Sequence, residues 1–400
     1  MGLEYTDFSR ILTGEPLPSA LVDLDAVARN AQRILEPVRG RDKTLRLASK
    51  SVRHVGLLRR ILALDPRIRG LMCYATTEAA FLSAQGFDDL LVAYPSVDRH
   101  GLDAVARCVA DGATIRLMAD APEHLEAYDA AAERAHTRLE VLLELDVSYR
   151  PIERVALGVL RSPLFDPDAV GALAREAASS KHVRVVGLMG YEAHVAGLPD
   201  DTPFGRWMNP ARRALKRLSI PQIAERRAAA VDALRAAGVE VAVVNGGGTG
   251  SVASTAQEAC VTEVTAGSGF LCPHLFDYYA ASSLEPAAYF ALEVSRIPTR
   301  GVVTCLGGGY VASGEAGPDR LPLPWRPREL AYVSMEGAGE VQTPLRVRGE
   351  ASALRIGSPV IFRHAKAGEL AERFDSYLLV EGGESAGREP TYRGQGRCFL

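Results

Sequence analysis

The sequence predicts an α/β fold, a closed (β/α)8 barrel of the TIM type followed by a mostly β domain. Three features carry that expectation. Eight short runs rich in Val, Leu and Ile alternate with Ala-rich segments of helical period over roughly 250 residues. Beyond about Leu284 the rhythm changes to strand-like runs separated by Pro and Gly. Nothing in the 400 residues, with 47% apolar and 24% charged, suggests disorder or a fibrous repeat.

The eight runs are Thr44–Ser49, Gly70–Tyr74, Asp89–Tyr94, Thr114–Ala119, Leu139–Leu145, Val183–Gly190, Glu240–Val244 and Val261–Thr265. Between them Val52–Leu64, Thr77–Ala84, Arg99–Ala110 and Pro122–Arg134 carry apolar residues three and four apart, the helical spacing. One crossover is oversized. From Tyr191 to Glu240 it passes through a loop and a basic stretch, Arg206 to Arg217, which reads as a solvated helix face or as a lid or subunit contact. The trailing runs are Tyr289–Ile297, Gly301–Leu306, Leu330–Met335, Pro344–Arg348, Pro359–Phe362 and Ser376–Val380, and the Pro-rich Leu321–Pro327 segment excludes a helix there. The expected division is a barrel over 20–283 and a β domain over 284–400 together with 1–19.

Lys and Arg number 46 against 49 Asp and Glu, so the net charge of −3 offers no footprint for nucleic acid. No apolar stretch approaches the length of a membrane span, and Glu4, Asp7 and Arg10 precede any apolar run, unlike a secretory leader. Six scattered cysteines without a C-x-x-C pair suit reduced thiols. A soluble cytoplasmic protein with no nucleic-acid or membrane partner is the expectation.

Barrel enzymes place their chemistry after the C-terminal ends of the strands. Lys50 ends the first run, where its amine would face the mouth and could form a Schiff base with a carbonyl. Asn245-Gly246-Gly247-Gly248-Thr249-Gly250-Ser251 follows the seventh run, and Thr265-Ala266-Gly267-Ser268-Gly269 follows the eighth. Glycine turns after strands seven and eight commonly cradle phosphate, with the Thr249 and Ser251 hydroxyls as added donors and Ser268 in the second turn. Either turn alone could be a tight β–α connection. A lysine on strand one facing both suits pyridoxal phosphate.

These residues resemble the fold-type III pyridoxal-phosphate enzymes of the D-threonine aldolase and D-serine dehydratase-like family, built on an alanine racemase N-terminal-like barrel. Pro18-Ser19-Ala20-Leu21-Val22-Asp23-Leu24-Asp25 is similar to that family's opening segment, and Tyr191-Glu192-Ala193-His194 to its Tyr-Glu-Gly-His motif. Gly246–Gly250 and Glu263–Ser268 match its phosphate loop and eighth strand. The resemblance implies Lys50 as the cofactor lysine. It implies a cofactor site of Arg150, Tyr191, Asn245, Gly247, Gly248, Thr249, Gly267 and Ser268, and a homodimer. His194, His364 and Lys366 join Lys50 as catalytic candidates.

Two departures from the family stand out. The turn Asp146-Val147-Ser148-Tyr149-Arg150 lacks the glycine of the family's arginine-bearing turn. The family's metal-binding His-x-Cys or His-x-Asp pair reads His364-Ala365-Lys366, which leaves His364 as a metal ligand with an ammonium beside it. That ammonium could replace the metal's charge, while Glu369, Glu372 and Asp375 keep an altered metal site open. The implied reaction is retro-aldol cleavage of a D-configured β-hydroxy amino acid to glycine and an aldehyde. Deamination to a keto acid and ammonia, racemisation with Tyr310 as a second base, and a non-catalytic cofactor carrier are the alternatives.

Overall fold

A computed structural model describes residues 2–152 and 154–400. The chain forms two compact units. One comprises Ile34–Lys50, Leu58–Gly267 and Phe399–Leu400, and the other comprises the chain up to Arg33, Ser51–Leu57 and Ser268–Cys398.

In chain order β1 (Ser19–Asp23), a strand of the second unit, is followed by the strands of the first unit: β2 (Thr44–Ala48), β3 (Ile68–Cys73), β4 (Leu90–Val92), β5 (Ile115–Ala119), β6 (Leu139–Glu144), β7 (Tyr149–Ile152), β8 (Val155–Leu157), β9 (Val183–Gly190), β10 (Val243–Gly246) and β11 (Glu263–Ala266). Eight of them close a parallel barrel in the order β2-β3-β4-β5-β6-β9-β10-β11, with β11 returning to β2. The expected barrel is therefore present. Its strands are largely apolar on both faces because helices cover the outside while side chains fill the inside. Leu91, Ala93, Met118, Leu142, Val186 and Met189 form one buried cluster from four strands and their ends.

Local chemistry starts two of the expected helices and one, Pro167–Ala177, that the periodicity did not single out. Asp98 accepts the Gly101 N–H at the head of Arg99–Ala110, Pro122 opens Pro122–Arg134, and Asp166 accepts the Asp168 N–H before Pro167–Ala177. The seventh barrel strand lies later than expected, at Val243–Gly246 rather than Glu240–Val244. Gly187 explains the register: a Cβ there would lie 1.9 Å from the Val243 carbonyl oxygen, so β9 and β10 meet through a glycine. Asn245 and Gly246 consequently belong to the strand, and the turn begins at Gly247.

The oversized crossover is a 28-residue helix, Asn209–Ala236. Ile223, Arg227, Ala230, Val231 and Leu234 form its buried face at helical spacing. Part of the basic stretch pairs with the preceding loop, Arg213 with Asp201 at 2.9 Å and Lys216 with Asp200 at 3.2 Å.

The second unit contains β1 with β12 (Ala288–Thr299), β13 (Val302–Leu306), β14 (Leu323–Arg326), β15 (Leu330–Tyr332), β16 (Gln342–Val347), β17 (Pro359–Arg363), β18 (Ser376–Glu381) and β19 (Glu384–Pro390). They make a nine-stranded sheet in which β1 lies between antiparallel β12 and parallel β18. Phe8, Leu21, Tyr289, Ile361 and Leu378 are among its core residues. The Pro-rich segment forms β14, which pairs with β17 and so needs few backbone donors of its own. No helix among the described residues is long and apolar enough to cross a membrane.

Candidate active site

The polar groups at the barrel mouth converge on Tyr94, just beyond β4. Lys50, in the short turn after β2, donates from Nζ to the Tyr94 hydroxyl at 3.0 Å. Arg161 donates from Nη2 to the same oxygen, also at 3.0 Å, and its guanidinium lies 4.9 Å from the Tyr94 ring centroid and 5.1 Å from that of Tyr191. Burial raises the Tyr94 pKa, but Lys50 and Arg161 together outweigh it and leave the phenol below its ordinary value. Arg161 Nη1 stands 3.6 Å from Glu144 at the end of β6. Burial pushes the Glu144 carboxyl up to about 7 against the pull of Arg161, with Asp120 adding to the rise. Tyr191, directly after β9, is pushed up to about 12 by burial.

Tyr191 joins this cluster to the glycine turn. A Cβ on Gly248 would lie 2.9 Å from Tyr191 Cε2 and 2.9 Å from Ala196 Cβ, so only glycine fits without displacement. Gly247 has φ +94°, in the left-handed region that favours glycine. The turn's donors are arranged differently from the expectation. Gly247 N–H donates to Glu192 Oε2 at 3.3 Å, and Gly248 N–H to Ser251 Oγ at 3.0 Å. These glycines therefore shape the turn through backbone freedom and small size. Gly267 N–H donates to Thr249 Oγ1 at 3.4 Å, joining the two glycine turns. In the second unit, Ser268 Oγ lies 3.2 Å from Ser51 Oγ.

Two expected cofactor residues are engaged away from the Lys50–Tyr94 pair. Asn245 points into the barrel interior, where its amide donates to Glu263 Oε1 and Thr265 Oγ1, each at 2.8 Å. Arg150 folds back onto its own turn, bonding Asp146 at 2.8 Å and Ser148 at 3.3 Å, with its guanidinium 3.6 Å from the Phe165 ring centroid. The arginine beside Lys50 and Tyr94 is Arg161, which the sequence reading missed. Its signal is modest, a single charge in Ala156-Leu157-Gly158-Val159-Leu160-Arg161 just after the β7–β8 hairpin. Glu144 also escaped notice, because at the end of an apolar strand it reads as an ordinary edge charge.

His194 lies in the short helix Ala193–Ala196, buried, with neither ring nitrogen hydrogen-bonded. Burial lowers its pKa despite the nearby Glu192 and Asp146 carboxylates, so the imidazole is neutral at neutral pH.

In the second unit His364 follows β17, fully buried, its pKa pushed down to about 3 by burial and then by His274 and Arg363. Lys366 is half-exposed, donates to Ser313 Oγ at 2.8 Å and lies 3.5 Å from Glu369 Oε1. The family's divalent metal does not fit this donor set. The residue two beyond His364 is an ammonium already engaged by Ser313 and Glu369, and no group of three or more His, Cys, Asp or Glu suited to a metal occurs among the described residues.

Comparison with known proteins shows the family and the fold. A 3-hydroxy-D-aspartate aldolase from Paracoccus denitrificans is 26% identical over 254 residues, 63% of this chain and 59% of that protein. The chain thus spans about three fifths of the length of the curated relatives it matches. Two solved structures share the fold over nearly the whole chain. The crystal structure of D-threonine aldolase from Filomicrobium marinum has a TM-score of 0.78 at 22% identity, covering 95% of each chain. D-threo-3-hydroxyaspartate dehydratase from Delftia sp. HT23 has a TM-score of 0.74 at 21% identity, covering 95% of this chain and 98% of that one. The family model for the alanine racemase N-terminal domain matches residues 22–271. From Val22 through the barrel to Leu271, the chain belongs to the alanine racemase N-terminal domain family.

Proposed function

We propose that this chain is a pyridoxal-phosphate-dependent lyase that cleaves D-configured β-hydroxy amino acids to glycine and an aldehyde. The observation that carries the reading is the Lys50 amine held on Tyr94 beside Arg161, with Tyr191 spanning to a turn that admits only glycine. Two cations and a glycine turn suit a planar cofactor with an anionic tail. The aldolase name of the Paracoccus relative supports the substrate class and the bond broken.

When bound, the cofactor supplies an electron sink for the bond broken at Cα. Lys50 Nζ is the amine that would hold it, and the Tyr94 hydroxyl fixes where that amine stands. Arg161 keeps positive charge over the faces of Tyr94 and Tyr191. Retro-aldol cleavage needs a base for the substrate's β-hydroxyl proton. His194 suits that task, being neutral with both ring nitrogens unpartnered. Glu144, with a pKa of about 7, is a second group able to exchange a proton near neutrality. No step is drawn through a metal, because the donors around His364 do not fit one.

Borohydride reduction of the purified protein followed by peptide mapping should attach the cofactor to Lys50, and attachment at Lys43 or another lysine would reject the assignment. A panel of D- and L-β-hydroxy amino acids should yield aldehyde and glycine from the D substrates. Keto acid with ammonia would assign deamination, inversion at Cα without a carbonyl product would assign racemisation, and no turnover would assign a carrier.

A further inference from the structure

The crossover helix Asn209–Ala236 places Arg227, fully buried, behind the glycine turn. Arg227 Nη2 donates to the Gly190 carbonyl and to Glu192 Oε2, each at 3.0 Å, and Nη1 donates to Glu258. Glu192 is buried too and has both oxygens engaged. Oε2 also accepts the Gly247 N–H at 3.3 Å, while Oε1 accepts the Ser251 hydroxyl at 2.9 Å and the Thr255 hydroxyl. Ser251 Oγ in turn accepts the Gly248 N–H at 3.0 Å. One carboxylate thus holds the Gly247 N–H directly and the Gly248 N–H through Ser251, and it pairs with an arginine of the crossover helix that Glu258 shares.

We propose that Glu192, neutralised by Arg227, is the positioning residue that sets the shape of the glycine turn for the cofactor's phosphate. This rests on the reading of the turn as a phosphate site. The physical reason is economy of donors. With the Gly247 and Gly248 N–H groups drawn inward, the turn cannot rearrange to close on itself, and its outer face keeps one shape whether or not an anion is present. Arg227 is required because a carboxylate alone behind an anion site would repel the anion and would be costly to bury. The long crossover therefore braces the site from behind.

The test compares pyridoxal phosphate with pyridoxal, which lacks the phosphate, by absorbance titration of the full chain stripped of cofactor. Wild type should bind pyridoxal phosphate the more tightly. Glu192→Gln keeps the side chain's size but removes its charge and one acceptor. It should weaken pyridoxal phosphate binding about tenfold while moving pyridoxal by less than about twofold. Ser251→Ala cuts only the Gly248 arm and should give the same selective loss, about threefold. An equal loss for both ligands would mean general damage to the barrel and would overturn the positioning role. So would unchanged or tighter phosphate binding, the result expected if Glu192 acted only as a repelling charge. Should Glu192→Gln fail to fold, Ser251→Ala decides alone by the same comparison. If wild type itself does not distinguish the two ligands, the reading of the turn as a phosphate site fails instead.

Discussion

Replacing Glu144 by Gln should make this protein more stable at alkaline pH. The carboxyl is buried at the end of β6, and burial, only partly offset by Arg161, lifts its pKa from the ordinary 4.5 to about 7. The folded state therefore favours the neutral form. That stabilisation is complete below about pH 4.5 and is lost as pH rises through 7. At about 1.4 kcal/mol per pH unit, the span from 4.5 to about 7 comes to about 3 kcal/mol. Glutamine holds the site neutral at every pH. Relative to wild type, Glu144→Gln should gain about 3 kcal/mol at pH 8 and nothing at pH 4. Arg161 is not stranded by the change, since its Nη2 still bonds Tyr94. Urea denaturation at pH 4, 6 and 8, followed by far-ultraviolet circular dichroism, measures the difference directly. A variant less stable than wild type at pH 8, or a gain that does not shrink on acidification, would refute the reasoning.

Other expectations follow from particular contacts. Gly248→Val should weaken cofactor binding at least about tenfold, since even the first carbon would collide with Tyr191 and Ala196; unchanged cofactor content would place the site elsewhere. Arg161→Ala should lower cofactor affinity and shift the bound cofactor's absorbance, whereas Arg150→Ala should alter neither, because Arg150 is clamped to Asp146 and Ser148. Arg46→Met leaves the Glu263 carboxylate buried without its charge partner and should cost about 3–5 kcal/mol in denaturant unfolding. Exhaustive chelation should leave turnover within about twofold, since Lys366 occupies the second donor position and removal of a catalytic metal would cost far more; a chelator-sensitive rate would show that metal binds despite it.

Much of the fold was readable because barrel periodicity is redundant. Each run of β-branched and leucine residues between amphipathic helices reinforces its neighbours, so a local error in one strand does not alter the architecture. The seventh strand shows the limit. Its register depends on the close approach of Val243 to Gly187, a long-range contact that no local pattern announces. Arg46 shows another. Its guanidinium lies inside the barrel, bonded to Glu263 at 2.7 Å and Asp89 at 3.0 Å, though in sequence it is one cation in an otherwise apolar strand.

The candidate site was legible where backbone dictates chemistry and opaque where loops choose side chains. Lys50 and the glycine turns lie at strand ends, positions fixed by the barrel itself, and so could be found by counting. Which arginine serves the mouth depends instead on the segment after β6. There the β7–β8 hairpin turns Arg150 onto Phe165 and leaves the chain to return with Arg161 against Tyr94. A similar limit governs the glycine turn. Three consecutive glycines suggest a row of donors aimed at an anion, yet an N–H is available only if nothing inside the protein claims it first. Glu192 and Ser251 claim two, and Glu192 can do so only because Arg227, thirty-five positions later, supplies its counter-charge. The meaning of the glycines therefore depends on a helix that looked like mere insertion, and the site's charge balance is set from outside the motif that announces it.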